Sequence, residues 1–144
     1  PEGFSVRTEA YTVGASAQYT TLVGRGVSPY DTNSGVNFYG YEIDNGTLRG
    51  LLVGENGNEQ RTNSLMSVAE GDDIYLSAFL FAPHLCRFYW YDGSNWNTAE
   101  LTGTPIPMTA SASRVLANFS VEDDGAAEDT QFFFYDYAFY KQGY

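Results

Sequence analysis

Aromatic rings lie beside short polar side chains in one stretch of the sequence, a combination suited to binding a sugar. The stretch contains Trp90, Tyr91, Asn95 and Trp96. The C–H face of a sugar ring stacks on a flat aromatic side chain, while its hydroxyl groups exchange hydrogen bonds with amides and carboxylates. We therefore predict that these four residues belong to a ligand-binding surface.

A second stretch of the same kind carries Tyr39 and Tyr41, and Arg49 follows it after a turn. The Asn45-Gly46 step between the two halves is typical of a two-residue β-hairpin. Such a hairpin brings Arg49 across from the tyrosines, so we add these three residues to the predicted ligand-binding set. The alternative is that about half of the rings in both stretches fill the hydrophobic core.

An acidic run, Glu122–Asp129, raises the question of a metal site. Runs of like charge are usually solvated loops, and we favour that interpretation, with no cofactor. Calcium is the alternative, because it binds several hard oxygen ligands, although the spacing differs from an EF-hand loop. Its candidate ligands would be Asp123, Asp124 and Asp136.

The sequence offers little for catalysis. His84 is the only histidine, which excludes a histidine-rich metal site. Neither a nucleophile elbow nor a phosphate-binding glycine motif is present. Cys86 is the only cysteine, so an internal disulfide is excluded, and its apolar neighbours predict a core position. We expect a non-catalytic domain; the alternative is an enzyme with an unrecognised site at Glu42 or Glu122.

Length and charge limit the classes of protein further. The 144 residues, 43% of them hydrophobic, predict one globular domain spanning 1–144. The formal net charge of −11 argues against nucleic acids and anionic membranes as partners. No apolar run approaches the roughly 18 residues of a membrane span. The chain starts at Pro1 without methionine, so we expect a processed product or an excised domain.

The spacing of turn residues predicts an all-β fold. Short runs rich in Val, Thr, Tyr and Phe alternate with Gly, Asn, Asp and Pro, as in sandwiches and barrels, and no stretch has a convincing helical stripe. The predicted strands are Phe4–Tyr11, Gln18–Val23, Val36–Ile43, Leu48–Gly54, Ser64–Val68, Ile74–Phe81, Arg87–Tyr91, Asn97–Leu101, Val115–Val121 and Gln131–Tyr140.

The alternation of residues within two of these strands also predicts which side chains share a face. Phe88 and Trp90 should share one face of their strand, and Tyr89 and Tyr91 the other. The last strand is aromatic on both faces, which predicts a central position in its sheet. Asp136 within it would then need a partner.

Several segments follow one another in an order typical of a known superfamily. They are Phe4–Ala10, Tyr19–Arg25, Tyr39–Ile43, Glu70–Leu76, Phe88–Trp96 and Phe134–Phe139. This order resembles the concanavalin A-like lectin/glucanase superfamily and implies a two-sheet antiparallel β-sandwich of the jelly-roll type. Members include lectins, glycan-binding modules, glycosidases and structural domains. The glutamate pair of the retaining glucanases, spaced Glu-x-Asp-x-x-Glu, is missing from this chain, which implies a non-catalytic member.

The sequence therefore predicts a carbohydrate-binding, lectin-like module of an extracellular or secreted protein. Its partner would be a glycan or polysaccharide, with no nucleic acid and no membrane insertion. The alternative is a structural or attachment domain of a viral or phage particle, a surface layer or an extracellular filament. In that case the aromatic residues would form subunit interfaces, and the domain would form homo-oligomers.

Overall fold

A computed structural model describes residues 2–11, 19–26, 38–54, 58–69, 71–82, 85–103, 118–123 and 131–141. The strands in these ranges are β1 Glu2–Tyr11, β2 Tyr19–Gly26, β3 Phe38–Asp44, β4 Thr47–Val53, β5 Glu59–Arg61, β6 Met66–Ser67, β7 Asp73–Ala82, β8 Leu85–Tyr91, β9 Trp96–Thr102, β10 Asn118–Asp123 and β11 Gln131–Lys141. Within these ranges there is no helix that is long and apolar enough to span a membrane.

The strands form two antiparallel sheets that pack face to face. One sheet has five strands in the order β11-β1-β7-β8-β9; the other has the order β10-β2-β3-β4-β5, with β6 also paired to β4. The predicted two-sheet antiparallel sandwich is thereby confirmed. Among the described strands, only β5, Glu59–Arg61, was not predicted, because its three polar residues form a short edge strand without an alternating pattern.

The core lies between the inner faces of the sheets and includes Phe4, Ile43, Leu52 and Leu76, each almost fully buried. The alternation in β8 is confirmed, since Phe88 and Trp90 are buried whereas Tyr89 and Tyr91 are half-exposed. The predicted turn at Asn45-Gly46 is also confirmed, and both residues have the positive φ that a type I′ hairpin requires.

The single thiol is part of this core. Cys86 is fully buried on β8, and burial raises its pKa well above the usual value for cysteine. The prediction of a small core residue is confirmed, and the thiol is chemically inert in the folded protein.

One tyrosine joins the two sheets by hydrogen bonding. Tyr41, on β3, is fully buried, and its hydroxyl oxygen lies 2.7 Å from the backbone carbonyl oxygens of both Ser77 and Tyr89 in the opposite sheet. The two carbonyl oxygens share the single proton that the hydroxyl donates, and burial raises the pKa of Tyr41 well above its usual value. The polar end of a large core ring is thus satisfied inside the sandwich.

A buried ion pair also crosses the sandwich. Arg25 on β2 pairs with Glu2 on β1, and both side chains are at most 5% exposed. The Arg25 guanidinium carbon lies 4.4 Å from the ring centroid of Phe139 on β11, which places a cation over an aromatic face. Since an unpaired charge at this depth would be costly, the pair favours the observed position of β2 over β1.

The prediction that the last strand is central is wrong. Among the described strands, β11 lies at the edge of its sheet and pairs with β1 alone. Its aromatic residues do not all need burial, because Tyr135 and Tyr140 are about half exposed while Tyr137 packs on Phe4. Asp136 is exposed and therefore needs no buried partner.

We expect Tyr41→Phe to lower the free energy of unfolding by about 1–3 kcal/mol, because the variant leaves buried carbonyl groups without their donor. Urea unfolding at neutral pH measures the change. Tyr91→Phe is the matched control, since the described structure assigns the Tyr91 hydroxyl no hydrogen bond. Equal stability of Tyr41→Phe and the control would contradict the role given to the Tyr41 hydroxyl.

We also expect Gly50→Ala to destabilise the fold by about 1–3 kcal/mol, through overpacking between the sheets. A Cβ at Gly50 would lie 2.9 Å from three ring atoms of Phe88. In a double-mutant cycle, Phe88→Leu should reduce the cost of Gly50→Ala, because the smaller side chain makes room. Strictly additive effects would show that the two positions do not compete for space.

Candidate functional site

The exposed aromatic residues of this domain gather on one surface. Among the described residues, the large hydrophobic side chains that are exposed are Phe81, Trp96, Phe119, Tyr135 and Tyr140. All except Phe119 belong to the five-stranded sheet. They lie on its outer face, which is the face turned away from the core.

Strand register arranges the outer face into three rows that run across the sheet. The middle row, called the serine row, contains Ala138, Ser5, Ser77, Tyr89 and Thr98. The Trp96 row lies on one side of it and contains Asp136, Arg7, Tyr75, Tyr91 and Trp96. The Phe79 row lies on the other side and contains Tyr140, Gly3, Phe79, Arg87 and Glu100. Residues that pair across antiparallel strands point to the same face, so each row is a line of neighbouring side chains.

A groove of about 510 Å³ lies on this face. Its lining residues are Ser5, Val6, Arg7, Tyr75, Leu76, Ser77, Trp96, Asp136, Tyr137 and Ala138. The small side chains of Ser5, Ser77 and Ala138 leave a trough beside the bulkier Trp96 row. Trp96 and Asp136 come from the two edge strands, so the groove runs across the strands with an aromatic end and an acidic end.

The floor of the groove keeps hydrogen-bonding capacity. The hydroxyl oxygens of Ser5 and Ser77 lie 2.7 Å apart and share one hydrogen bond. Two hydroxyls carry two protons and several lone pairs, and their mutual bond uses only one proton. A ligand on the floor can therefore both accept and donate a hydrogen bond.

Rings of the Trp96 row support one another. The centroids of Tyr91 and Trp96 are 5.8 Å apart, and those of Tyr75 and Tyr91 are 6.2 Å apart in an edge-to-face arrangement. The Arg7 guanidinium carbon continues the series, at 5.4 Å from the Tyr75 centroid and 5.1 Å from that of Tyr135. These contacts hold the rings in place before any ligand arrives.

The cations of the outer face already have acidic partners. One terminal nitrogen of Arg7 lies 3.2 and 3.0 Å from the two carboxylate oxygens of Asp73, and this hydrogen bonding raises the pKa of Arg7. Arg87 pairs with Glu100, one carboxylate oxygen of which accepts a hydrogen bond from Nε and lies beside a terminal nitrogen. Asp136, by contrast, has no ion pair or hydrogen bond within the part of the chain that the structure describes.

The hairpin that presents Trp96 is built around Asp92. One carboxylate oxygen accepts hydrogen bonds from the backbone N–H groups of Ser94 and Asn95, at 2.9 and 2.8 Å, and the other accepts one from the Asn97 amide at 2.8 Å. These bonds, led by the one from Asn95, lower the pKa of Asp92. Gly93 provides the positive φ of the turn, so Tyr91 and Trp96 face each other directly.

The structure brings together part of the predicted ligand-binding set. Tyr91 and Trp96 are neighbours on the outer face, with Trp96 57% exposed, and Asn95 is exposed in the adjacent turn. A ligand role for these three residues stays a prediction. Trp90 was placed wrongly, because it is only 8% exposed and faces the core, as the alternation of β8 requires.

The second predicted stretch does not form an open surface. Tyr39 and Tyr41 are at most 2% exposed, so the prediction that these rings stack on a ligand is wrong. They point inward from β3, where the opposite sheet covers them. Arg49 is half-buried on the other face of β4, where it lies across from Glu42 and pairs with Asp44 at 3.5 Å. It therefore does not meet the two tyrosines.

Most residues that line the groove were not in the ligand-binding set predicted from the sequence. Ser5 and Arg7 alternate with buried residues of β1, and Tyr75 and Ser77 alternate with buried residues of β7. That pattern marks them as outward-facing. It does not show that β1 and β7 are neighbours, because they are separated by five other strands along the chain.

The calcium candidates are dispersed. Asp136 lies on β11 of one sheet, and Asp123 lies on β10 of the other. The Asp123 side chain, Asp124 and His84 fall outside the described residues, as does most of the acidic run. Within the described ranges, no group of three potential metal-ligating side chains converges.

The same architecture occurs in solved structures. Sheep galectin-11, in complex with glycerol, shares 10% sequence identity over 96% of this chain and 89% of its own, with a TM-score of 0.54. Scytalido-glutamic peptidase with a peptide-based transition state analog has 18% identity over 97% and 69%, with a TM-score of 0.48. No protein-family model and no curated protein sequence matches the chain. The galectin likeness is one of fold alone and shows a two-sheet β-sandwich.

We expect Asp92→Ala to lower stability at neutral pH and to weaken its dependence on acid pH. The folded protein holds the pKa of Asp92 below its ordinary value of about 4. Its contribution is therefore fully present above that value and is lost as pH falls through the lower, folded-state pKa.

Thermal unfolding between neutral and strongly acid pH tests this expectation. Asp136→Asn removes an equal charge whose carboxylate has no hydrogen bond or ion pair with a described residue, and serves as the control. Unchanged pH profiles in Asp92→Ala would show that the hairpin does not depend on the ionised carboxylate.

Proposed function

We propose that this domain is a non-catalytic glycan-binding module and that the groove on the outer face of the five-stranded sheet is its binding site. The observation that carries the proposal is the exposed Trp96 ring at one end of a groove whose floor is hydroxylated. Trp96 is 57% exposed and lines the same groove as Ser5, Ser77 and Asp136. An exposed ring of this size beside unsatisfied polar groups favours a ligand that is both flat and hydroxylated.

Each part of a sugar has a counterpart in the groove. The C–H face of a ring stacks on Trp96, which Tyr91 supports from behind. Sugar hydroxyls exchange hydrogen bonds with the serine pair on the floor and donate to the Asp136 carboxylate. The rings are already held by their neighbours, so binding requires little ordering of side chains.

The lining favours binding over hydrolysis. Glycosidases generally use two carboxyl groups that flank the scissile bond, about 5–5.5 Å apart in retaining enzymes. Among the described residues that line the groove, Asp136 is the single acidic side chain. A glycan held there would meet one carboxylate, which can bind and orient it.

Two broader inferences accompany the proposal. Membership of the concanavalin A-like superfamily is supported by the order of sequence segments and by a sandwich of the kind found in a galectin. An extracellular location is in keeping with a polysaccharide partner and with the net charge of −11. Neither inference depends on the groove being the binding site.

A structural or attachment role is the second candidate. Exposed rings on the outer face continue beyond the groove at Phe81 and Tyr140, which are 40% and 48% exposed. Both pack on Phe79, and together they form an aromatic patch of the type enriched at subunit interfaces. Sedimentation of the wild type and of Phe81→Ala separates the roles, since an assembly surface predicts oligomers that the substitution dissociates.

We expect a panel of neutral glycans and polysaccharides to contain ligands whose affinity falls about tenfold in Trp96→Ala, because a stacked ring contributes about 1.4 kcal/mol. Isothermal titration, with calcium and then with chelator, measures the affinities. Phe81→Ala is the matched control, since it removes an exposed ring of the same face that does not line the groove.

Two results would contradict the proposal. A blank panel with a folded protein would favour the assembly role, and equal losses in Trp96→Ala and Phe81→Ala would place binding outside the groove.

A further inference from the structure

The acidic end of the groove carries a charge that nothing in the described structure neutralises. Asp136 is exposed on β11 and lines the groove. Its cross-strand neighbour is Arg7 on β1. The Arg7 guanidinium, however, makes two hydrogen bonds to the carboxylate of Asp73 on β7. The carboxylate of Asp136 has no ion pair or hydrogen bond with any described residue.

This arrangement gives the groove a negative potential. Arg7 is the only basic side chain among the described residues of the lining, and Asp73 already offsets its charge. The rest of the protein adds to the effect, with a formal net charge of −11. Anionic sugars such as uronic acids would meet repulsion at Asp136 and find no free cation to compensate it.

We propose that the groove selects oligosaccharides that carry free amino groups, with an ammonium group at Asp136 and a sugar ring on Trp96. The inference rests on the proposed glycan-binding function and names its ligand class. An ammonium group donates charge-assisted hydrogen bonds to a carboxylate, which are stronger than those from a neutral hydroxyl.

The aromatic end and the acidic end of the groove together favour a ligand that carries both a sugar ring and a cation. A simple cation, such as a lysine side chain, would satisfy Asp136 and leave Trp96 unused. A neutral sugar would cover Trp96 and give Asp136 only hydroxyl donors. An amino sugar oligomer satisfies both ends, because it carries rings and ammonium groups along one chain.

The test compares glucosamine oligomers with their N-acetylated counterparts of equal length. Isothermal titration at low and high salt should show the free amine form binding about fivefold more tightly, as expected for a largely exposed ion pair. The preference should shrink in high salt and vanish in Asp136→Asn, which keeps the shape of the side chain. Glu59→Gln, with the same change in net charge on the other sheet, should keep the preference.

Three results would overturn the inference, each distinguishable from failure of the glycan-binding proposal. Equal affinity for amine and N-acetyl forms shows glycan binding without amine selection. A preference that persists in Asp136→Asn, or falls equally in Glu59→Gln, shows attraction by overall charge. Oligolysine that binds as tightly as the amino sugar shows that the ring is irrelevant. If no oligosaccharide of either form binds and the neutral panel is blank, the proposed function itself fails.

Discussion

The register of β1 between β7 and β11 determines both the core and the groove of this domain. In that register Ser5 lies opposite Ser77 on one side and Ala138 on the other, while Phe4 and Val6 point into the core. A slip of one residue would exchange the two faces and place hydroxyls in the core. The hydrophobic pattern of β1 excludes such a slip, so burial of its inner residues also aligns the small side chains that leave the groove open.

Two polar contacts inside the sandwich fix the position of one sheet over the other. Apolar side chains alone allow several ways of packing with similar energy. The Tyr41 hydroxyl needs carbonyl acceptors in the opposite sheet, and Arg25 needs Glu2. We expect each contact to favour the observed alignment over its alternatives, which gives these residues a role in specifying the fold.

The sequence was informative wherever a strand has one buried and one open face. In β8 the alternation of Phe88 and Trp90 with Tyr89 and Tyr91 predicted the observed faces, and the Asn45-Gly46 turn predicted the β3–β4 hairpin. It failed for Tyr39 and Tyr41 because tyrosine occurs both in cores and on surfaces. The alternation of these rings with Glu42 and Asp44 on β3 does place them on the inward face, which the prediction of a ligand-binding stretch overlooked. The groove could not be predicted from the sequence for another reason. It depends on β1 and β7 being neighbours, and no local pattern encodes that pairing.

The burial of Cys86 has a practical consequence for work on this protein. The chain has a single cysteine, and it lies in the core with a thiol that resists ionisation. Thiol-directed reagents react with the thiolate and need access to it, so they should leave the folded native domain unmodified. A cysteine introduced at an exposed position beside Trp96 would be the sole site of labelling. A fluorophore attached there would report occupancy of the groove without removal of the native residue.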